Sequence, residues 1–293
     1  MRNVFLTTAL VAALTGLADD AHGKKRTVPP PPAEPQCTGW IDSLPASINQ
    51  AGYYCLTNNL STSDLGGAIN IYASDVTIDC KDYSLSHTDR ANEATGIGGG
   101  GFGPVQDVTV KSCKLVDFAT GISFSIGSQR IQVLDNNVLR AKYDGIVLWA
   151  SNSRIERNSV INTNAPAFPY SRNITLTALE PGVPSTGNVV SGNVVAGAHG
   201  NGTIWGIRAD MSNDLIIDGN RVINLQASEG GYSAAIQTDG TNVRVVNNII
   251  VGNSPGSWGN TGGPALCSGN VAAGLVSDGF QWCTESTGNT VAP

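Results

Sequence analysis

The sequence repeats one short pattern: Gly-Ile, a strand-length gap, an aliphatic residue, two further positions, Asn, any residue, and Val or Ile. It runs as Gly145-Ile146 with Ile155-Glu156-Arg157-Asn158-Ser159-Val160, and as Gly206-Ile207 with Ile217-Asp218-Gly219-Asn220-Arg221-Val222. It returns as Ala235-Ile236 with Val245-Val246-Asn247-Asn248-Ile249-Ile250, and in part as Val190-Ser191-Gly192-Asn193-Val194-Val195. Gly96, Gly121 and Gly145 lie 25 and 24 residues apart; Asn193, Asn220 and Asn248 lie 27 and 28 apart. A period in this range means a stacked solenoid, either a parallel β-helix or a leucine-rich repeat.

Three observations favour the β-helix. The apolar positions are mostly Ile and Val, which fit a pleated surface better than a helix. Segments such as Ile146-Val147-Leu148 and Val243-Arg244-Val245 alternate with period two. No stretch between repeats carries an amphipathic helical period. The expectation is an all-β, single-stranded, right-handed parallel β-helix of about eight or nine coils, with Ile122, Ile146, Ile207 and Ile236 stacked inside. Asn136, Asn158, Asn220 and Asn248 fall at the turns.

The start of the chain has a different composition. Arg2 is followed by an apolar stretch from Val4 to Leu17 with small residues around Ala18, the pattern of an export signal over residues 1–18 (to about 21). That stretch is about fourteen residues, short of the roughly twenty a membrane span needs. Residues 19–36 form a basic, then proline-rich linker through Pro29-Pro30-Pro31-Pro32, leaving 37–293 as the β-helix domain. The chain carries 17 Lys and Arg against 23 Asp and Glu, and Lys24, Lys25 and Arg26 lie before the repeats. The acidic balance argues against nucleic acid as a partner. A secreted or periplasmic monomer is expected.

Six cysteines in an exported chain suggest three disulfides, with fifteen pairings open. Position favours Cys37 with Cys55 and Cys267 with Cys283. Cys80 and Cys113 follow the similar segments Asp75-Val76-Thr77-Ile78 and Asp107-Val108-Thr109-Val110, on what would be adjacent coils. The alternative leaves those two as buried free thiols. No Cys pair has zinc-site spacing, and the three histidines are scattered.

Leu44-Pro45-Ala46-Ser47-Ile48, Gly52-Tyr53-Tyr54-Cys55-Leu56, Ala68-Ile69-Asn70-Ile71 and Val76-Thr77-Ile78-Asp79-Cys80 resemble the opening of secreted right-handed parallel β-helix repeat proteins. The later coils resemble the repeat of the pectate-lyase-like superfamily. The resemblance covers residues 40 to about 291 and implies the fold. It implies no single activity, because that superfamily spans lyases, hydrolases, epimerases and tailspikes. The polygalacturonase pattern joins Asn-Thr-Asp, Asp-Asp, Gly-His-Gly and Arg-Ile-Lys; this chain offers Gln237-Thr238-Asp239 and His199-Gly200 but not the set.

Residues one and three places after each buried Ile should point outward and align between coils. The first row then reads Ser123, Val147, Arg208, Gln237, and the second Ser125, Trp149, Asp210, Asp239. One end of this face is bland; the other gathers Arg208, Asp210, Gln237 and Asp239, with Trp149 and Trp205 beside them. Two carboxylates on adjacent coils, about 4.8 Å apart at the backbone, would share a proton, bind a cation such as Ca²⁺, or recruit Arg208. Arg208, Asp210 and Asp239 are therefore the candidate catalytic residues for a polysaccharide lyase or glycoside hydrolase, and Asp210 and Asp239 the candidate metal ligands. The competing reading places both aspartates in turns, since Asp239-Gly240 is a turn signal. The segment Asn162 to Asn188 is expected to leave the solenoid and wall a groove, contributing Tyr170 and Arg172. His199, Lys142, Tyr143, Gln237, Trp149 and Trp205 complete the candidate substrate contacts. A non-catalytic glycan-binding rod is the alternative.

Overall fold

A computed structural model describes residues 35–89, 93–101, 103–165, 170–178, 180, 182–228, 231–252, 257–262, 264–274 and 283–292. The expected export signal, and the linker up to residue 34, lie outside the described residues. A single unit spans Gln36–Pro293. It is a right-handed parallel β-solenoid whose coils build three long sheets, of nine, eleven and ten strands, every pairing between neighbours being parallel. One coil visits each sheet once: Asp144–Ser151 on the nine-stranded sheet, Arg154–Glu156 on the eleven-stranded one and Ser159–Ile161 on the ten-stranded one.

The interior follows the alternation of the sequence. Ile69, Ile97, Ile122, Ile146, Ile174, Ile207 and Ile236 are in register from strand to strand and fully buried. Each contributes about 1.5–3 kcal/mol by leaving water. The glycine before several of these residues has a steric cause. A Cβ at Gly121, Gly145 or Gly206 would overlap Val138, Val160 or Val222 from the ten-stranded sheet and the carbonyl of the next coil. The Gly-Ile dipeptide thus lets two sheets meet at a corner of the prism.

The asparagines form a buried ladder. The backbone N–H and Nδ2 of Asn158 both donate to Oδ1 of Asn193, at 2.8 and 3.0 Å. Asn193 donates in the same way to Asn220, Asn220 to Asn248 and Asn248 to Asn270. The same Nδ2 groups also donate to carbonyls of an earlier coil, as Asn193 does to Ile155 at 2.8 Å. Every turn at this corner therefore satisfies its backbone without water, which a buried loop requires.

The residue preceding each ladder asparagine has positive φ: Asp135, Arg157, Gly192, Gly219, Asn247 and Gly269. The other two corners repeat this, with Asp107 and Arg130 at one and Asp117 and Arg140 at the other. Where Asp and Arg occupy successive coils they pair across the stack: Arg130 with Asp107 at 2.7 Å, Arg140 with Asp117 at 2.5 Å, and Arg157 with Asp135 at 2.7 Å. The hydrogen bond from Arg157 is the main cause holding the Asp135 carboxyl below its ordinary range.

Three disulfides join Cys37 to Cys55, Cys80 to Cys113 and Cys267 to Cys283, with Cα separations of 5.8, 4.7 and 5.7 Å. The middle bridge staples adjacent coils, so the free-thiol alternative for Cys80 and Cys113 falls. Among the described residues there is no helix, and none long and apolar enough to cross a membrane.

One expectation needs correction. The segment 162–188 does not simply leave the solenoid, because Tyr170–Leu176 is a full strand of the nine-stranded sheet. Ile174 fills the core position between Ile146 and Ile207. The coil escaped notice because Asn173 stands where its neighbours have glycine. Its Nδ2 donates to the Trp205 carbonyl at 2.8 Å, so a polar side chain is tolerated at that corner.

Candidate functional site

The extra strand resets the outward rows of the nine-stranded sheet. The first row now reads Asn70, Gly98, Ser123, Val147, Thr175, Arg208, Gln237. Arg208 neighbours Thr175 rather than Val147. Trp149, expected beside the polar cluster, lies two strands away from the Thr203–Ala209 strand. The row falls into two stretches, separated by Val147 and Thr175, which face outward yet are only 1% exposed.

The polar stretch is built by register. Asp144, Arg172 and Trp205 are direct neighbours on three successive strands. Arg172 donates through Nε and Nη2 to the two oxygens of Asp144 at 2.6 and 2.9 Å, and its guanidinium stacks on Tyr170 at 4.9 Å. Burial works against the charge of Arg172, but the hydrogen bonds and charge of Asp144 outweigh it and raise the pKa further. One strand on, the Arg208 guanidinium lies 4.2 Å from the centre of the Trp205 ring. Tyr170 and Tyr232 approach the same ring, each with centroids 6.4 Å away, and the indole N–H donates to Gln237. Trp205 is therefore 8% exposed and serves as the platform under Arg208.

Of the three outcomes open to the aspartate pair, the structure has the last. Nε of Arg208 reaches both Asp210 oxygens, at 2.9 and 2.8 Å. Asp239 is one coil further on, exposed, with its backbone N–H donating to Ala209 at 2.8 Å. Among the described residues, no group of three or more His, Cys, Asp and Glu could hold a metal ion. Lys142 lies over the Tyr143 ring at 4.9 Å, and the Tyr143 hydroxyl reaches Glu93 at 3.3 Å, both at the corner entering the Asp144 strand. His199 sits half-buried in a separate three-stranded ribbon, paired with Asn164 and Gln226.

The other stretch was expected to be bland and is not. A cleft of about 410 Å³ lies over Gly67, Asn70, Gly98 and Ser123, with Tyr72, Ile126 and Trp149 among its lining residues. A β-bulge shapes it. Phe124 pairs with Leu148 and Ser128 with Ala150, so four residue steps on one strand face two on the next. The surplus throws Ile126 outward to 50% exposure beside Trp149. Only the hydrophobic Ile126, out of phase with the repeat, signalled the bulge in the sequence.

No family model matches the sequence, and no curated protein matches it. Solved structures do resemble the fold. The A-module of a mannuronan C-5 epimerase from Azotobacter vinelandii is 15% identical at a TM-score of 0.45, covering 82% of this chain and 83% of its own. A periplasmic alginate epimerase is 15% identical at 0.46, covering 83% and 69%. A DFA-IIIase from Arthrobacter chlorophenolicus is 13% identical at 0.40, covering 81% and 69%. Likeness at these identities concerns the path of the chain and leaves the site to be argued from its own residues.

Proposed function

We propose that this chain is a secreted or periplasmic carbohydrate-active protein that holds an acidic polysaccharide along the outer face of the nine-stranded sheet. The observation that carries the reading is the state of Arg208. Its Nε is committed to Asp210 and its face to Trp205, while no hydrogen bond from either Nη is found among the described residues. A guanidinium fixed in this way presents its terminal N–H groups to a ligand carboxylate, the bidentate partner that arginine binds best. Three disulfides suit delivery to an oxidising compartment.

The chemistry such a face favours is β-elimination. Arg208 would withdraw charge from a uronate carboxylate and so acidify the neighbouring C5–H. In this reading Asp239, the aspartate of this cluster outside an ion pair among the described residues, takes that proton. The C5–H electron pair then forms the C4=C5 double bond as the C4–O bond breaks, and the leaving sugar oxygen is protonated. A second reading, glycan binding without cleavage, is favoured by the pairing of Asp144 and Asp210 with arginines, which leaves few groups to move protons.

The test is incubation of the purified chain with polygalacturonate, alginate and a neutral glucan, with and without chelator. Ultraviolet absorbance of the unsaturated product identifies a lyase. New reducing ends without absorbance identify a hydrolase, and retention without either identifies a binding rod. Activity lost to chelator would bring Ca²⁺ onto Asp210 and Asp239. Absence of both turnover and retention for every acidic polymer overturns the proposal.

A further inference from the structure

The cleft over Asn70, Gly98 and Ser123 differs in chemistry from the Arg208 cluster, although both lie on one row. None of its lining residues is charged; they are glycines, aromatic, amide and hydroxyl side chains, and Ile126. Its floor is open because the strands there carry glycine. A Cβ at Gly98 would make only ordinary contacts, at 3.5 Å or more, so no packing demand accounts for the missing side chain. The Thr95 and Ser123 hydroxyls lie half-buried in the lining and make no hydrogen bond among the described residues. Tyr72, 37% exposed, and Trp149, partly exposed, bring aromatic surface to the same space.

We infer that this cleft is a subsite for a neutral sugar ring, which stacks its C–H face on Trp149 and offers its hydroxyls to Asn70, Thr95 and Ser123. A pyranose ring is apolar across its faces and hydrogen-bonding at its edge. A lining of aromatic, glycine, amide and hydroxyl groups matches both surfaces, and about 410 Å³ falls within the range of small-ligand pockets. The bulge that turns Ile126 outward closes one side of the space. The inference rests on the proposed function only in taking the ligand to be a glycan. It adds that the glycan is mixed, with a neutral ring bound over strands three to five spacings, roughly 14–24 Å, from the carboxylate held at Arg208.

Titration calorimetry on the whole chain tests this, with neutral hexasaccharides of glucose, mannose and xylose as probes beside oligogalacturonate. At least one neutral probe is expected to bind, with Trp149→Ala and Gly98→Val each weakening it tenfold or more. Trp149→Phe should restore most of the loss, and Arg208→Gln should leave neutral binding unchanged. Far-ultraviolet circular dichroism and melting confirm that each variant folds. No binding by any neutral probe, or binding indifferent to both cleft variants, overturns the inference. Neutral binding that depends on the cleft, with acidic polymers ignored by wild type and Arg208→Gln alike, sustains the inference and overturns the proposed function instead.

Discussion

Arg172 and Arg208 sit on adjacent strands, each beside an aspartate, but they use it differently. Arg172 closes a two-point bond on Asp144 through Nε and Nη2, whereas Arg208 meets Asp210 through Nε alone. The first arrangement is complete in itself. The second leaves the outer edge of the guanidinium available for a ligand.

Removing Arg208 should therefore cost function and not stability. Arg208→Gln is expected to weaken binding of acidic polysaccharide about tenfold or more, as for loss of a charge-assisted bidentate bond. The melting temperature should stay within a degree or two. Arg208→Lys should recover little, because an ammonium cannot reproduce the fork. Affinity electrophoresis against polygalacturonate and alginate measures both variants.

Asp144→Asn should show the opposite split. It leaves the half-buried Arg172 without its counter-charge, a change worth about 3 kcal/mol or more for a buried pair and less at this partial exposure. Denaturant unfolding is the measurement, and an unchanged midpoint would contradict the structural role given to the pair.

Asn193→Ala tests the ladder. The substitution removes the acceptor for two donors of Asn158 and the donor to the Ile155 carbonyl, all buried. Each orphaned group costs about 1–3 kcal/mol. A fall of several degrees in melting temperature is expected, with hydrogen exchange accelerating first at the coils on either side.

Gly145→Ala tests the corner. The added methyl would overlap Val160 and the Asn173 carbonyl, so overpacking of about 1–3 kcal/mol is expected. Gly98→Ala, whose Cβ meets only ordinary contacts, should be nearly neutral. Thermal melts of the two variants side by side decide the matter.

Acid should loosen the N-terminal coils. Burial would raise the Asp79 carboxyl, but the Tyr53 hydroxyl at 2.6 Å, with Lys81 and Lys111, holds it below the ordinary aspartate range. A carboxylate whose folded pKa is depressed stabilises the fold above its unfolded value, and loses that contribution as pH falls through the folded one. Stability should thus decline below about pH 4, and Asp79→Asn should flatten the decline. Melting temperature followed from pH 7 to pH 2.5 is the check.

The solenoid was legible because its signals are local and repeated. Ile122, Ile146, Ile207 and Ile236 gave the core, the Asn-x-Val triplets one corner, and Cys80 and Cys113 a bridge between coils. Local signals were insufficient for the coil through Ile174, where Asn173 replaces glycine and the dipeptide disappears. That one omission displaced every outward neighbour, because register is inherited from the strand before.

The sequence alone determined the architecture: a period of about two dozen residues, alternating Ile and Val, and an asparagine at each turn can bury their apolar and polar groups together only by stacking coils. It also determined which side chains carry charge and aromatic surface. Tertiary structure decided how they are used. It placed Thr175 rather than Val147 beside Arg208, set Arg172 beside Trp205, laid Arg208 across that ring, and opened a cleft where the residues looked plain. Such outcomes depend on which strands lie side by side and where a bulge breaks their register, and those are long-range contacts that no local pattern encodes.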